Sequence, residues 1–262
     1  MFLKAVLCAA GLLAVGDIAA APPELEQALA GIRRNVEVFE NQAPDFVCQE
    51  KITSRTVDEK DGRIENETVI ESTFTGTQNH SALSRLGGVS FKEERRIETV
   101  NGVRWKEKSM PAGVFRVGGG YSSLLVTIFG AKGEANYSFS LLSPESVAFT
   151  TNNGKQRIKG KEGARSFQAT GRAWFDPVSF EVIRLEQRIV PRGDEPSGGL
   201  PIAVDYGPVQ IGESQFRLPV RVSATAHRAN SGRAERGEYV AEYGNCRKYG
   251  SSSTIRYSNP EK

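Results

Sequence analysis

The sequence predicts a mainly β (α+β) protein: one large, strongly curved antiparallel sheet of about ten strands, with an N-terminal helix and one short helix on its concave side. Three observations carry this. Apolar residues recur at three- and four-residue spacing between Pro22 and Gln42. Beyond Pro44 the period falls to two. Turn dipeptides then separate the extended runs, with none of the strand–helix–strand alternation that a parallel sheet needs.

The chain opens on Lys4, the apolar run Ala5–Val15, and the small residues Ala19, Ala20 and Ala21, which is the layout of a secretory leader. The run is about a dozen residues, whereas a membrane-spanning helix needs roughly 20. Leu7 stands where a lipoprotein signal needs a small residue before Cys8. A cut after Ala21 would leave Pro22 at the new terminus, which is disfavoured, and Ile18 and Ala20 fit the positions before an earlier cut. Residues 1–20 are therefore read as a signal peptide and residues 21–262 as a single domain. The mature protein is expected to be periplasmic or secreted, with no integral membrane segment.

Within the body, Leu25, Ala28, Leu29, Ile32, Val36 and Phe39 make one apolar stripe. Pro22 and Pro23 suit the first turn of this helix, and Pro44 ends it. Its plain role is packing on the sheet; the alternative is binding a partner. In Phe216–His227, the residues Phe216, Leu218, Val220, Val222, Ala224 and Ala226 fall on one face and Arg217, Pro219, Arg221, Ser223, Thr225 and His227 on the other. That is a strand with one dry side, and Pro219 marks an edge or a bulge. Ile183, Leu185 and Ile189 alternate with Val182, Arg184, Glu186 and Arg188 in the same way. Turns are expected at Asp61-Gly62, Asn101-Gly102, Asn153-Gly154, Gly198-Gly199 and Ser231-Gly232. Asn101-Gly102 should close a hairpin between Arg95–Val100 and Val103–Lys106.

The triplet Gly118-Gly119-Gly120 leads into an apolar stretch, with a short helix expected around Ser122 to Phe129. It reads as a mobile flap of the kind that covers ligand sites, and Tyr121, Leu124, Leu125, Ile128 and Phe129 are the candidate ligand-binding residues. The competing reading is an ordinary loop with a packing helix. Removing the leader discards Cys8 and leaves Cys48 and Cys246, most simply a disulfide in an exported chain. Cys48 shares a strand face with Phe46 and Ile52, the face expected to be buried. Cys246 lies in Tyr239–Tyr249, a further strand. A redox pair is the alternative, but no C-x-x-C motif is present.

A net charge of +3 over 262 residues, without a long Lys/Arg run, argues against nucleic acid as a partner. Mixed runs such as Lys92–Arg96 read as solvated faces. Two histidines, His80 and His227, exclude a His-rich metal site, and no H-E-x-x-H or Cys/His zinc spacing occurs. Gly120-Tyr-Ser-Ser-Leu124 lacks the last glycine of a nucleophile elbow, Ser123 takes the place of the third glycine of G-x-G-x-x-G, and Gly154-Lys155 lacks the rest of a phosphate loop. No catalytic residue, metal or cofactor is implied. Asp176 and Asp205 are the least ordinary carboxylates, and turn or strand-end roles suit them.

Several phrases resemble a group of exported β-rich proteins abundant in acidobacteria and related soil bacteria. They are Pro44-Asp-Phe-Val-Cys48, Val100-Asn-Gly102, Ser143-Pro-Glu-Ser146 with Val147-Ala-Phe149, Gly171-Arg-Ala-Trp-Phe-Asp176 leading to Glu181-Val-Ile-Arg184, Val204-Asp-Tyr206, Phe216-Arg-Leu-Pro219 and Asn245-Cys-Arg-Lys-Tyr249. That group in turn resembles the lipoprotein-localisation carriers (LolA/LolB-like), most locally at Phe175–Pro177. The resemblance implies a half-barrel over residues 21–262 and a non-enzymatic carrier that binds an apolar or acylated small molecule. The alternative is a structural or interaction module of the cell envelope that holds a protein partner.

Overall fold

The protein is described by a computed structural model over residues 24–79, 90–107, 109–118, 120–131, 133–152, 156–160, 163–191, 200–230 and 233–250. The leader, His80 and the turns at Asn153-Gly154, Gly198-Gly199 and Ser231-Gly232 lie outside these residues. Helix α1 (Leu25–Gln42) buries Ala28, Leu29, Ile32 and Val36, the predicted stripe. Twelve strands follow, against the ten or so expected. They are β1 (Phe46–Asp58), β2 (Ile64–Asn79), β3 (Ser90–Val100), β4 (Val103–Arg104), β5 (Tyr137–Ser143), β6 (Ser146–Thr151), β7 (Gln156–Gly160), β8 (Gly163–Phe175), β9 (Val182–Pro191), β10 (Leu200–Ile211), β11 (Ser214–Asn230) and β12 (Arg233–Lys248). All pairings are antiparallel, in the order β4-β3-β2-β1-β12-β11-β10-β9-β8-β6-β5, with β7 alongside the first part of β8. The hairpin at Asn101-Gly102 forms as predicted, with both residues at positive φ and Val100 paired to Val103.

The edges of the sheet, β4 and β5, come from the middle of the chain. The segment between them crosses one face of the sheet as a 3₁₀ turn (Tyr121–Ser123), α2 (Leu124–Phe129) and one further turn of helix, α3 (Gly133–Asn136), that sequence reading did not anticipate. The Phe115 N–H donates to Ser54 Oγ at 3.0 Å, anchoring the start of the crossing to β1. One continuous apolar cluster joins α1 and α2 to residues of β1, β2, β6, β8, β10, β11 and β12, so the sheet curls around its helices. A second cluster packs Phe39 of α1 with Phe46, Phe74, Phe91 and Phe216. Phe46 pairs directly with Gly76, where a Cβ would lie 2.4 Å from the Phe46 ring.

Cys48 and Cys246 form a disulfide between β1 and β12, with Cα atoms 4.0 Å apart. Asn245 and Cys246 together face Cys48 in a bulge, and Asn245 adopts φ 50° to make it. Two further bulges bear on the predicted faces. Val220 is the extra residue between the pairs Tyr206–Pro219 and Asp205–Arg221, the bulge that Pro219 foreshadowed. The assignment of Ile183 to the dry face needs correction: Val182 is buried at 4% and Ile183 is 41% exposed. Phe175 pairs with Val182 and Trp174 with Arg184, so Ile183 is squeezed out of the ladder and strict alternation fails by one residue.

The outer face is laced with charge. Pairing by pairing, Arg184, Asp205, Arg221, Glu242, Lys51 and Glu71 form one row of alternating sign across β9, β10, β11, β12, β1 and β2. Opposite charges directly across neighbouring strands stabilise the pairing modestly. Such a row at mid-strand also makes this wall unfit to face hydrocarbon. Among the described residues no helix is long and apolar enough to cross a membrane.

The turn after β8 clasps α1. Phe180, at φ 58°, stacks on Phe175 at 6.0 Å and lies against Gly31, where a Cβ would come within 2.3 Å of its ring. Asn35 Nδ2 donates to the Ser179 carbonyl at 2.8 Å beside it. Gly31→Ala is therefore expected to lower stability by about 1–3 kcal/mol through overpacking. Thermal unfolding reads this as about 2–4 °C per kcal/mol, and an unchanged Tm would refute the clasp.

Candidate functional site

Strand alternation places Phe46, Cys48, Glu50, Ile52 and Ser54 of β1 on the inner face, and Phe91, Glu93, Arg95 and Ile97 of β3 on the same side. Two of the charges in Lys92–Arg96 thus point inward, correcting the reading of that run as a wholly solvated face. Glu50 is the most deeply buried charge among the described residues, with 0% of its side chain exposed against 22% for Arg95. Arg95 forks onto it, Nε to Oε2 and Nη2 to Oε1 at 2.5 Å, and Ser72 Oγ donates to Oε2 at 2.5 Å. Burial works against the Arg95 charge, but the hydrogen bonds and charge of Glu50 outweigh it and hold the guanidinium above its ordinary pKa.

Around this pair stand Tyr121, Tyr239 and Tyr243. Their hydroxyls, together with Ser122 Oγ, are buried without a hydrogen-bond partner among the described residues. Tyr206 Oη donates to the Tyr121 carbonyl at 3.2 Å. The turn carrying Tyr121 is tied to β3 at three points: Glu93 accepts from the Gly120 and Ser122 N–H groups at 2.6 and 2.7 Å, and Ser123 Oγ accepts from Phe91 N–H at 2.8 Å. Gly120 supports this cradle at φ 96°.

Burial pushes the phenols of Tyr121, Tyr206, Tyr239 and Tyr243 well above their ordinary value of 10.0. A group whose folded pKa is raised lends stability that is complete below its unfolded pKa and is lost as pH rises. Alkaline unfolding should therefore set in above about pH 10, with these phenols ionising together as the far-UV signal collapses. If all seven tyrosines of the chain ionise near pH 10 in protein that is still folded, the burial is wrong.

An apolar cleft of about 100 Å³ opens between α1, α2 and the sheet, lined by Ile32, Val36, Phe39, Leu125, Val182 and Phe216, with Asn35, Glu181, Gln215 and Arg217 also on its walls. Ser122 and Tyr206 line it as well, and Tyr206 Oη donates to the Tyr121 backbone carbonyl beside it. A larger depression, about 680 Å³, lies against outward residues including Lys51, Glu71, Arg96, Glu98 and Arg247. It belongs to the charged outer wall, where opposite signs already face each other, and its lining is more polar than apolar, unlike that of the cleft.

The structure brings the five flap residues of the sequence together under α1. Tyr121, Ile128 and Phe129 are buried, while Leu124 and Leu125 are half-buried. Asp176 is a turn residue: its Oδ1 accepts from Val178 and Ser179 N–H, and the Ser179 bond, followed by that of Val178, keeps its carboxyl below the usual range. Asp205 faces Arg184 at 2.5 Å and Arg221 at 4.0 Å in the outer row. His227 is exposed and bonds Glu59 through Nδ1. Among the described residues no group of three or more His, Cys, Asp or Glu is placed to hold a metal. Sequence reading named Tyr121 but missed Glu50, Arg95, Tyr239 and Tyr243; the signal available for Glu50 and Arg95 was the period-two spacing Cys48-x-Glu50-x-Ile52 and Phe91-x-Glu93-x-Arg95-x-Ile97.

No protein-family model and no curated protein sequence matches the chain. Among solved structures, a chain of the Pseudomonas aeruginosa MucA/MucB complex is similar at 9% identity over 86% of this chain and 99% of that one, with a TM-score of 0.19. A chain in the crystal structure of MucB with MucA(peri) is similar at 9% identity over 85% and 100%, with a TM-score of 0.20. At such scores the likeness carries no argument for fold or function.

Proposed function

We propose that the mature protein is an exported, non-enzymatic binding or carrier protein for a lipid-like or acylated ligand. The observation that supports this is the cover of the inner face: two helices, not a second sheet, close it, and an apolar cleft already opens between them. A cleft of about 100 Å³ is smaller than the 300–1,000 Å³ or so of small-molecule sites, so uptake requires α1 and α2 to part. The leader and the Cys48–Cys246 bond support an oxidising, exported location.

Displacement of an environment-sensitive apolar dye from purified mature protein tests the reading. Saturable one-to-one binding, competed by acylated amphiphiles, is the expected result. A flat titration with folded protein would remove the carrier reading. One observation favours a second: among the described residues β5 (Tyr137–Ser143) pairs only with β6, leaving an edge onto which a partner's strand could add. On that reading, Ser140→Pro abolishes a cross-linked envelope complex while leaving dye binding intact.

A further inference from the structure

We infer that β5 is a self-association edge, to which a second copy of this chain adds its own β5, antiparallel, about a two-fold axis. This rests on the second reading above and commits it to one occupant. The two edges of the sheet are unlike. On one side β4 is two residues long, and beyond it β3 carries Lys92, Glu93, Glu94, Arg95, Arg96 and Glu98. Short or charged edges of this kind ward off stray strands. On the other side β5 runs Tyr-Ser-Phe-Ser-Leu-Leu-Ser, with no charge and no proline. Among the described residues it pairs with β6 alone.

The pattern of the strand selects the occupant. Phe139 and Leu141 lie half-buried on the inner face against the apolar cluster, and Phe139 stacks on Phe129 of α2 at 5.5 Å. Ser138 and Ser140 are exposed on the outer face. Leu142 is the extra residue of a bulge, so the regular stretch is Tyr137–Leu141. Laid antiparallel on a second copy with Phe139 at the axis, this stretch sets Leu141 opposite the partner's Tyr137 and Ser138 opposite the partner's Ser140. Apolar groups meet apolar groups on the inner face and hydroxyls meet hydroxyls on the outer one. No like charges oppose each other.

The only edges such a dimer leaves open are the two charged β3–β4 sides, so assembly closes at two. The paired stretch is about 17 Å long. That places the contact at the small, transient end of protein interfaces, with a Kd on the order of 10–100 µM.

Sedimentation equilibrium of the purified mature protein, from about 1 to about 500 µM, is the test. Wild type is expected to pass from monomer to dimer and no further. Ser138→Lys with Ser140→Lys, and Ser138→Glu with Ser140→Glu, each set like charges across the axis from an exposed face. Each pair of changes should weaken association at least about tenfold with little change in Tm. An equimolar mixture of the two variants should dimerise again. Wild type that stays monomeric throughout would overturn this inference, and that result needs no variant. If an envelope complex abolished by Ser140→Pro is then recovered, the edge takes another protein's strand and the second reading stands. If none is recovered, both fall. A dimer that both charged variants retain uses another face and overturns the inference, as does association that continues past two.

Discussion

Arg95→Ala is expected to be the most damaging single substitution in the protein, lowering the free energy of unfolding by about 3–5 kcal/mol. The reason is asymmetric burial. With Arg95 gone, Glu50, whose side chain is fully buried in the intact protein, keeps only Ser72 bonded to it. Glu50→Ala should cost less, because Arg95 keeps 22% of its side chain at the surface and can swing outward. Replacing both by apolar residues of similar size, Glu50→Leu with Arg95→Met, should cost far less than the single changes Glu50→Leu and Arg95→Met summed; wild type, these two singles and their double form the cycle. Urea unfolding of the four proteins measures this cycle. Additive losses, or an Arg95→Ala variant within about 1 kcal/mol of wild type, would show that the pair is not buried as described.

Loss of the disulfide ranks second. Cys48 and Cys246 are 198 positions apart, and the chain-entropy treatment assigns a loop of that length about 5 kcal/mol as an upper figure, with about 2–4 typical of measured bridges. Cys48→Ala with Cys246→Ala should lower the urea midpoint accordingly, and reduction of the wild type should reproduce the shift. Two free thiols by mass in exported protein, or a midpoint indifferent to reductant, would contradict the pairing.

Much of the frame was legible because it depends on local rules. The stripe from Leu25 to Val36, the Asn101-Gly102 turn and the burial of Phe216, Leu218, Val222 and Ala224 follow from spacing or backbone preference. At the bulge between Leu218 and Val222 the alternation fails, with Pro219, assigned to the wet face, buried and Val220, assigned to the dry one, only half-buried. The failures share a physical cause. Ile183 and Val182 exchanged roles because a bulge inserts one residue, and nothing in the residue types announces a bulge there. Glu93 and Arg95 were read as solvated because inward charge is costly and normally avoided; they are tolerated here because Glu50, itself bonded by Ser72, meets Arg95, and the Gly120 and Ser122 N–H groups meet Glu93. Those partners come from distant segments, as do Tyr121, Tyr239 and Tyr243, so the buried polar cluster exists only once the strand order is known. The short helix after Gly118-Gly119-Gly120, by contrast, was visible as a segment, while its packing beneath α1 was not.

The strand order has a consequence for how the chain folds. Hairpin contacts build β1–β4 and β8–β12 from near neighbours, but the seam between β1 and β12 joins the two ends of the body. Contacts of such high sequence separation form late and set the rate. Until then both β1 and β12 present a bare edge, the kind of surface that recruits stray strands. The cysteines stand on those two edges, one on each, and their Cα atoms reach bonding distance only when the edges meet. The oxidation state of the pair is thus a chemical record of completion: a bridged molecule is one whose last strand has found its first.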